Sequence, residues 1–281
     1  MVFIPEQLID RLIQEDVPYF DLTTHALNFG EKPAEIRYAT RHQTRLACVE
    51  EAAAMLTKVG AEITLKVDSG QTLETGTPIL IATGKAGALH AVWKASQNLL
   101  EYACGVATKT HRLVQLAREV NPQVMLYTTR KSIPGTKAIA VRAILAGSAY
   151  PHRLGLSESI LIFEQHLNFI GGLEGLIQKL PILKPQMLEK KIVVEVSEAE
   201  DAIALAEAGI DEIQFDKVSA ADLSQIIPKL KSIHPGMSLL AAGGIDEANI
   251  AEYAATGING IVSTSPYYAK PANIDVKILP I

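Results

Sequence analysis

The run Met125-Leu126-Tyr127-Thr128-Thr129 ends in two adjacent cations, Arg130 and Lys131. Cations at the end of a strand point at an anion, a phosphate or a carboxylate. The turn at Pro134-Gly135 and a short helix expected over Lys137–Ala146, stopped by Gly147, lead to a second cationic pair, His152 and Arg153. The apolar run Ser159–Phe163 then closes on Glu164, Gln165 and His166. Further on, Glu195 interrupts the strand-like IVVEV, Asp216 ends EIQFD, Gly243 and Gly244 end SLLAAGG, and Thr264 sits in GIVSTS.

Cations at the early strand ends and carboxylates at the later ones suit a ligand carrying several phosphates next to a sugar-like cation. Arg130, Lys131, His152 and Arg153 can hold phosphates or carboxylates. Glu195 and Asp216 can bind a divalent metal or stabilise a cationic transition state. Gly243, Gly244 and the Ser263-Thr264-Ser265 run offer backbone N–H and hydroxyl donors of the kind barrels use for phosphate. Plainer roles stand beside these: Asp216 as a helix-initiating acid, His166 as a hydrogen-bonded core histidine, and Lys94 as a solvated lysine beside Trp93.

The elements that must position these residues alternate regularly. Strands are expected at 125–129, 159–163, 192–196, 212–216, 238–244 and 260–265, separated by helices, as in a parallel sheet. Ser197 to Glu200 reads as a capping box, Ser219 as a helix start, and a further helix begins near Asp246. A doubly wound sheet would also gather these strand ends at one edge, but the chain has neither a GxGxxG after a first strand nor a GxxxxGK[ST], which favours a barrel. Upstream, a helix is expected over Ile4–Gln14, and Asp21, Thr23 and Thr24 read as a capping cluster. Residues 34–83 form an α+β segment, and helices over 87–103 and 108–120 follow in series. The hairpin-like SGQTLETGTP (69–78) has the turn chemistry of biotinyl and lipoyl carriers but no lysine to modify.

At 281 residues the chain can bury one large or two modest cores. A net charge of −5 gives no general attraction to nucleic acid or anionic membranes, so any anion site is a local cluster of cations. Cys48 and Cys104 lack ligand or disulfide spacing and read as small core residues. No stretch of about 18 apolar residues occurs and the amino-terminal helix is acidic, so the expectation is a soluble, cytoplasmic protein.

TTRKSIPGTK (128–137), PHRLGLSES (151–159), VVEV (193–196), the FD ending at Asp216 and AAGGI (241–245) together resemble the quinolinate phosphoribosyltransferase superfamily, also called nicotinate-nucleotide pyrophosphorylase (carboxylating). Within it, HRLGLSESILIFEQH is similar to the ModD branch associated with molybdenum transport loci. EDVPYFDLTT (15–24) and QNLLEYACGVAT (97–108) extend the likeness over nearly the whole chain. The resemblance implies an N-terminal α/β sandwich domain (1–107), an incomplete, roughly six-stranded α/β barrel (108–266), and a C-terminal segment (267–281) returning to the first domain. It implies a homodimer, or a higher oligomer of dimers, in which one subunit's N-terminal domain closes its partner's barrel. It also implies phosphoribosyl transfer from phosphoribosyl pyrophosphate with Mg2+.

On matching positions, Arg130, Lys131, His152 and Arg153 would bind acidic substrate and phosphates, with Lys131 also catalytic. Glu195 and Asp216 would serve the ribose, the metal and the oxocarbenium-like transition state. Lys94 falls where the family has an arginine contributed across the dimer, and Gly243, Gly244 and Thr264 fall on its phosphate loops. The chain departs from the quinolinate enzymes at Phe163, where they have a lysine, at Thr136-Lys137 in their PGLR, at Pro151 in their NHR, and at Ala242 in their SGN-like loop. Phe163 gives the acceptor pocket an apolar wall, which disfavours a dicarboxylate. The expected activity is therefore transfer to an acidic or aromatic acceptor that need not be quinolinate, with little or no turnover of quinolinate itself. A non-catalytic anion-binding protein and a Schiff-base lyase using Lys131 are the competing readings.

Overall fold

The computed structural model describes residues 3–281. In chain order, helix α1 (Glu6–Asp16) and α2 (Leu22–Leu27) precede β1 (Pro33–Thr40) and β2 (Thr44–Arg45). Then come α3 (Val49–Lys58), β3 (Glu62–Lys66), β4 (Thr72–Leu73), β5 (Pro78–Lys85) and the long α4 (Ala86–Val120). The strand β6 (Met125–Thr128) leads to α5 (Lys137–Ala146), β7 (Tyr150–Pro151), β8 (Ile160–Ile162), α6 (Glu164–Leu167) and α7 (Gly172–Gln186). Three βα pairs follow, β9 (Ile192–Val196) with α8 (Ala199–Glu207), β10 (Glu212–Asp216) with α9 (Ala220–Ile233), and β11 (Ser238–Ala242) with α10 (Ile250–Ala255). The chain ends with β12 (Gly260–Ser263), a 3₁₀ turn at Ser265–Tyr268, and β13 (Ile274–Pro280).

The described residues divide into two compact units, one comprising residues up to His111, Ser132–Ser148 and Pro266–Ile281, the other Arg112–Lys131 and Ala149–Ser265. In the first unit β13, β1, β5 and β3 form an antiparallel sheet in that order. Alternate residues of β1, Ala34, Ile36 and Tyr38, are buried, as period-two patterning dictates for a sheet with one face on the core. Leu56 of α3 and Leu89, Val92 and Leu100 of α4 complete that core. Cys48 and Cys104 are buried free thiols here, and burial pushes the Cys104 thiol up to about 12.

The second unit holds an all-parallel sheet, seven-stranded among the described residues, in the order β7-β6-β12-β11-β10-β9-β8. Its central strands are buried almost throughout, the pattern of a parallel sheet covered on both faces. His152, next to the edge strand β7, reaches Glu212 on β10 across three intervening strands, its Nε2 lying 3.8 Å from the carboxylate. That contact requires the sheet to curl. The edge strands β7 and β8 do not pair with each other, so the barrel stays open.

Several elements differ from the sequence reading. The two helices in series are one helix, α4, because Gly105 marks a close approach and not a stop: a Cβ there would lie 2.4 Å from the Lys270 carbonyl oxygen. The barrel has a seventh strand, β7, only two residues long and too short to leave a periodic signal. The expected capping box does not form, since α8 begins at Ala199 with Glu198 at its N-cap, putting Ser197 out of register. Ser219 does cap α9, its hydroxyl accepting the Asp222 N–H at 3.1 Å. The helix expected from Asp246 starts at Ile250, because the Asp246 carboxylate accepts the Ala248 N–H and Asn249 accepts the Asp246 N–H, both at 2.9 Å, and hold a turn there. Glu164, Gln165 and His166 do not prolong β8 but form α6, with His166 Nδ1 accepting the Phe163 N–H at 3.0 Å.

Candidate active site

The carboxyl ends of the parallel strands carry the candidate residues. After β6, the Lys131 N–H donates to Thr129 Oγ1 at 3.1 Å, and Thr129 Oγ1 lies 2.9 Å from Thr264 Oγ1 beyond β12. Adjacent strands thus link the cation pair to the expected phosphate loop. Arg130 and Arg153 come close enough to repel: the guanidinium of Arg153 is pushed below the usual arginine range, first by burial and then by the Arg130 charge. Arg153 is only 9% exposed. A like charge beside this buried guanidinium costs stability unless an anion bridges the two, although Arg130 itself is exposed.

Glu195 of β9 and Asp216 of β10 form the opposing wall. The Glu195 carboxyl is raised above its ordinary range, chiefly by burial and further by Asp216, against a hydrogen bond from Gln214 and the charges of Lys131 and Lys217. The Gln214 amide donates to Glu195 at 2.6 Å, while its buried carbonyl oxygen has no partner among the described residues. Parallel register sets Gln214 directly beside Glu195.

Beyond β11, Gly243 and Gly244 both adopt left-handed backbone, with φ of 89° and 70°. Gly243 is obligatory for space as well as for φ, since a Cβ there would lie 2.7 Å from Asp216 Oδ1 and 2.5 Å from Lys217 Cγ. Lys217 is itself left-handed (φ 58°), and its N–H donates to the Ala242 carbonyl at 2.8 Å. The stem of Lys217 is thereby pressed against Gly243, with its charge felt at Glu195.

Phe163 stands in a stack. The Arg153 guanidinium lies 6.0 Å from its ring centroid, and the His166 ring is stacked at 5.8 Å. His152 points inward, where Glu212 is also bonded by Lys191 at 3.0 Å and the Tyr127 ring meets the imidazole edge-on. Lys94 belongs to the first unit, where its ammonium donates to Gln97 at 3.0 Å and sits 5.0 Å from the Trp93 ring centroid.

The structure therefore gathers Arg130, Lys131, Arg153, Phe163, Glu195, Asp216, Gly243, Gly244 and Thr264 in one unit, at or just beyond the carboxyl ends of its strands. Gln214, Glu212 and Lys217 were missed. The first two were detectable, because alternation in EIQFD puts them on the same face as Asp216. The left-handed turn that orients Lys217 has no sequence signature.

A family model for the quinolinate phosphoribosyl transferase C-terminal domain matches residues 106–278, and one for the N-terminal domain matches residues 21–104. The chain belongs to the quinolinate phosphoribosyltransferase family. It is 37% identical over 280 residues to a pyrophosphorylase ModD of Escherichia coli O157:H7, covering 100% of this chain and 99% of that one. Against a ModD pyrophosphorylase of Rhodobacter capsulatus it is 39% identical over 251 residues, 89% of this chain and 96% of the relative. The fold is that of a nicotinate-nucleotide pyrophosphorylase from Francisella tularensis, with a TM-score of 0.89 at 22% identity, covering 99% and 98% of the two chains. This family member is a phosphoribosyltransferase, a pentosyltransferase whose barrel mouth is built from the strand ends described above. Among the described residues no helix is long and apolar enough to cross a membrane.

Proposed function

We propose that the chain transfers a phosphoribosyl group from phosphoribosyl pyrophosphate to an aromatic acceptor bearing a single carboxylate, and that quinolinate is not that acceptor. The reading rests on the Arg153–Phe163–His166 stack. An aromatic ring there offers a flat apolar face and leaves a second ligand carboxylate buried without a partner, at a cost of several kcal/mol. One carboxylate between Arg130 and Arg153 would relieve their mutual repulsion.

In the transfer, a lone pair on the acceptor's ring nitrogen forms the bond to the anomeric carbon, and the bond from that carbon to pyrophosphate breaks, the pyrophosphate leaving with the electron pair. Glu195 and Asp216, negative and partly desolvated, would stabilise the positive charge developing on the ribose. Lys131, Thr264 and the N–H groups of Gly243 and Gly244 would hold the phosphates, while His152, turned to Glu212 at the amino end of β10, would brace the barrel instead of touching the acceptor.

No cluster of three or more metal-ligating side chains occurs among the described residues. Two carboxylates at one mouth nevertheless suit Mg2+, which is commonly bound by one or two carboxylates together with substrate phosphates. Glu195 and Asp216 would hold it, and when bound it would neutralise charge on the departing pyrophosphate. Likeness to the ModD proteins supports a setting in molybdenum transport, and the match of Lys94 to the family's cross-dimer arginine supports a homodimer.

The test is turnover. Incubated with phosphoribosyl pyrophosphate and Mg2+, the protein is expected to release pyrophosphate with a heteroaromatic monocarboxylate and to leave quinolinate unreacted. Phe163→Lys should gain quinolinate binding. Quinolinate turnover by the wild type at an ordinary enzymatic rate, about 1 per second or faster, would show that another cation replaces the missing lysine.

A further inference from the structure

The unpaired edges β7 and β8 leave a seam in the barrel, and a cavity of about 670 Å³ opens there. Arg130 and Arg153 line it from the β6 and β7 side, and Lys179 of α7 lines it from the other. Between these cations the walls are mostly apolar, with Ile162 of β8 and Leu176 and Leu183 of α7 prominent and Ser159 and His166 the polar exceptions. Among the described lining residues there is no carboxylate. The cavity therefore shares with the proposed acceptor subsite the two arginines that would hold its anion.

The two arginines at one end of an apolar hollow select a ligand with an anionic end and an apolar body, because a charge directed at the aliphatic walls would be buried unpaired. The exposed Lys179 adds only a solvent-screened positive field. The volume falls within the range of about 300–1,000 Å³ typical of pockets for drug-sized ligands. A single six-membered ring anchored between the arginines would leave much of the cavity to water against aliphatic side chains, an arrangement that wastes the contact a larger ligand would make.

We infer that the seam cavity seats the body of the acceptor, and that the acceptor is a heteroaromatic monocarboxylic acid of at least two fused rings. Its carboxylate lies between Arg130 and Arg153, its extra ring against Ile162, Leu176 and Leu183, and its nucleophilic ring nitrogen toward the Glu195 and Asp216 side. This rests on the transferase reading given above.

Calorimetric titration of the full-length protein with phosphoribosyl pyrophosphate, pyridine-3-carboxylate and quinoline-3-carboxylate tests it, in the presence of Mg2+. The two-ring acid is expected to bind about tenfold more tightly than the one-ring acid, from the added apolar contact. Leu183→Trp, which fills the cavity, should abolish that preference. Lys179→Glu, a change at an exposed position that leaves the core intact, should weaken the two-ring acid about five- to tenfold with phosphoribosyl pyrophosphate affinity unchanged. Equal affinity for the two acids, or indifference of the two-ring acid to both substitutions, overturns the inference while leaving phosphoribosyl pyrophosphate binding, and the transferase reading, in place. Seam-dependent acid binding without phosphoribosyl pyrophosphate binding keeps the cavity as the acid's site and defeats the transferase reading instead.

Discussion

Gly243 and Gly244 are adjacent, both left-handed, and differ in what surrounds them, so alanine at each separates backbone strain from steric damage to the site. A Cβ at Gly244 meets nothing within 4 Å, whereas at Gly243 it meets Lys217 Cγ at 2.5 Å, Asp216 Oδ1 at 2.7 Å and the Lys217 backbone nitrogen at 2.8 Å. Gly244→Ala should cost only the left-handed strain, about 1–2 kcal/mol. Gly243→Ala carries the same strain plus an overpacking cost of about 1–3 kcal/mol, since the Lys217 nitrogen is tied to Ala242 and cannot withdraw freely. The total, about 2–5 kcal/mol, is measurable by urea denaturation. The catalytic consequence is sharper: Asp216 must move, and a misplacement of order 1 Å costs about a hundredfold in rate. Pyrophosphate release by Gly243→Ala should fall at least that far, and Gly244→Ala should retain most activity. Equal losses for the two variants would refute the claim that Gly243 exists to admit Asp216 and Lys217.

Three other substitutions probe the charges. Arg130→Ala should weaken binding of the heteroaromatic monocarboxylate by about 2–4 kcal/mol in calorimetry with the fold intact, through loss of charge-assisted bonds, and unchanged affinity would remove Arg130 from the site. Glu195→Gln should abolish turnover yet stabilise the protein at neutral pH. The Glu195 carboxyl is raised, so its folded-state contribution is present below the ordinary carboxylate range and is lost as pH rises through the raised value, a dependence that the glutamine variant should lack in thermal denaturation followed from pH 4 to 8. In the first unit, half-buried Arg142 bridges Glu50 and buried Glu51 at 3.0 and 2.9 Å, so Arg142→Ala should destabilise by about 1–3 kcal/mol, the cost of leaving a buried acceptor unsatisfied; a loss under 1 kcal/mol by denaturant titration would mean the carboxylates find water instead.

The strand ends were legible because each closes a run of apolar residues, and an exposed or charged residue at such a point stands out against the pattern. Arg130, Glu195 and Asp216 were found in this way, and the residues that the resemblance picked out at Gly243, Gly244 and Thr264 lie at the same level. What escaped had physical causes. Gly105 carries the signal of a helix stop, yet in α4 it admits the chain at Lys270, and local sequence does not record a long-range approach. The strand Tyr150–Pro151 is fixed by pairing with Tyr127 and Thr128 and has no periodicity of its own. The choice between barrel and doubly wound sheet was settled by a contact, His152 to Glu212, that depends on curvature.

The strand EIQFD explains why the chemistry sits at one end of the barrel. Its alternate residues Glu212, Gln214 and Asp216 share one face, and their partners change along it. At the amino end Glu212 is compensated by Lys191 at 3.0 Å and by His152, and these partners hold its carboxyl below the ordinary range despite burial. Gln214, in the middle, uses its amide on Glu195 and leaves its carbonyl oxygen unmatched. At the carboxyl end burial and the neighbouring Asp216 raise Glu195, with Lys131 and Lys217 only partly offsetting them. Compensation is thus strongest where the barrel needs stability and weakest where a cationic transition state would supply the missing charge. A polar ladder serving the fold alone would be satisfied at both ends, and this one is left incomplete on the side that carries the two arginines and the glycine pair.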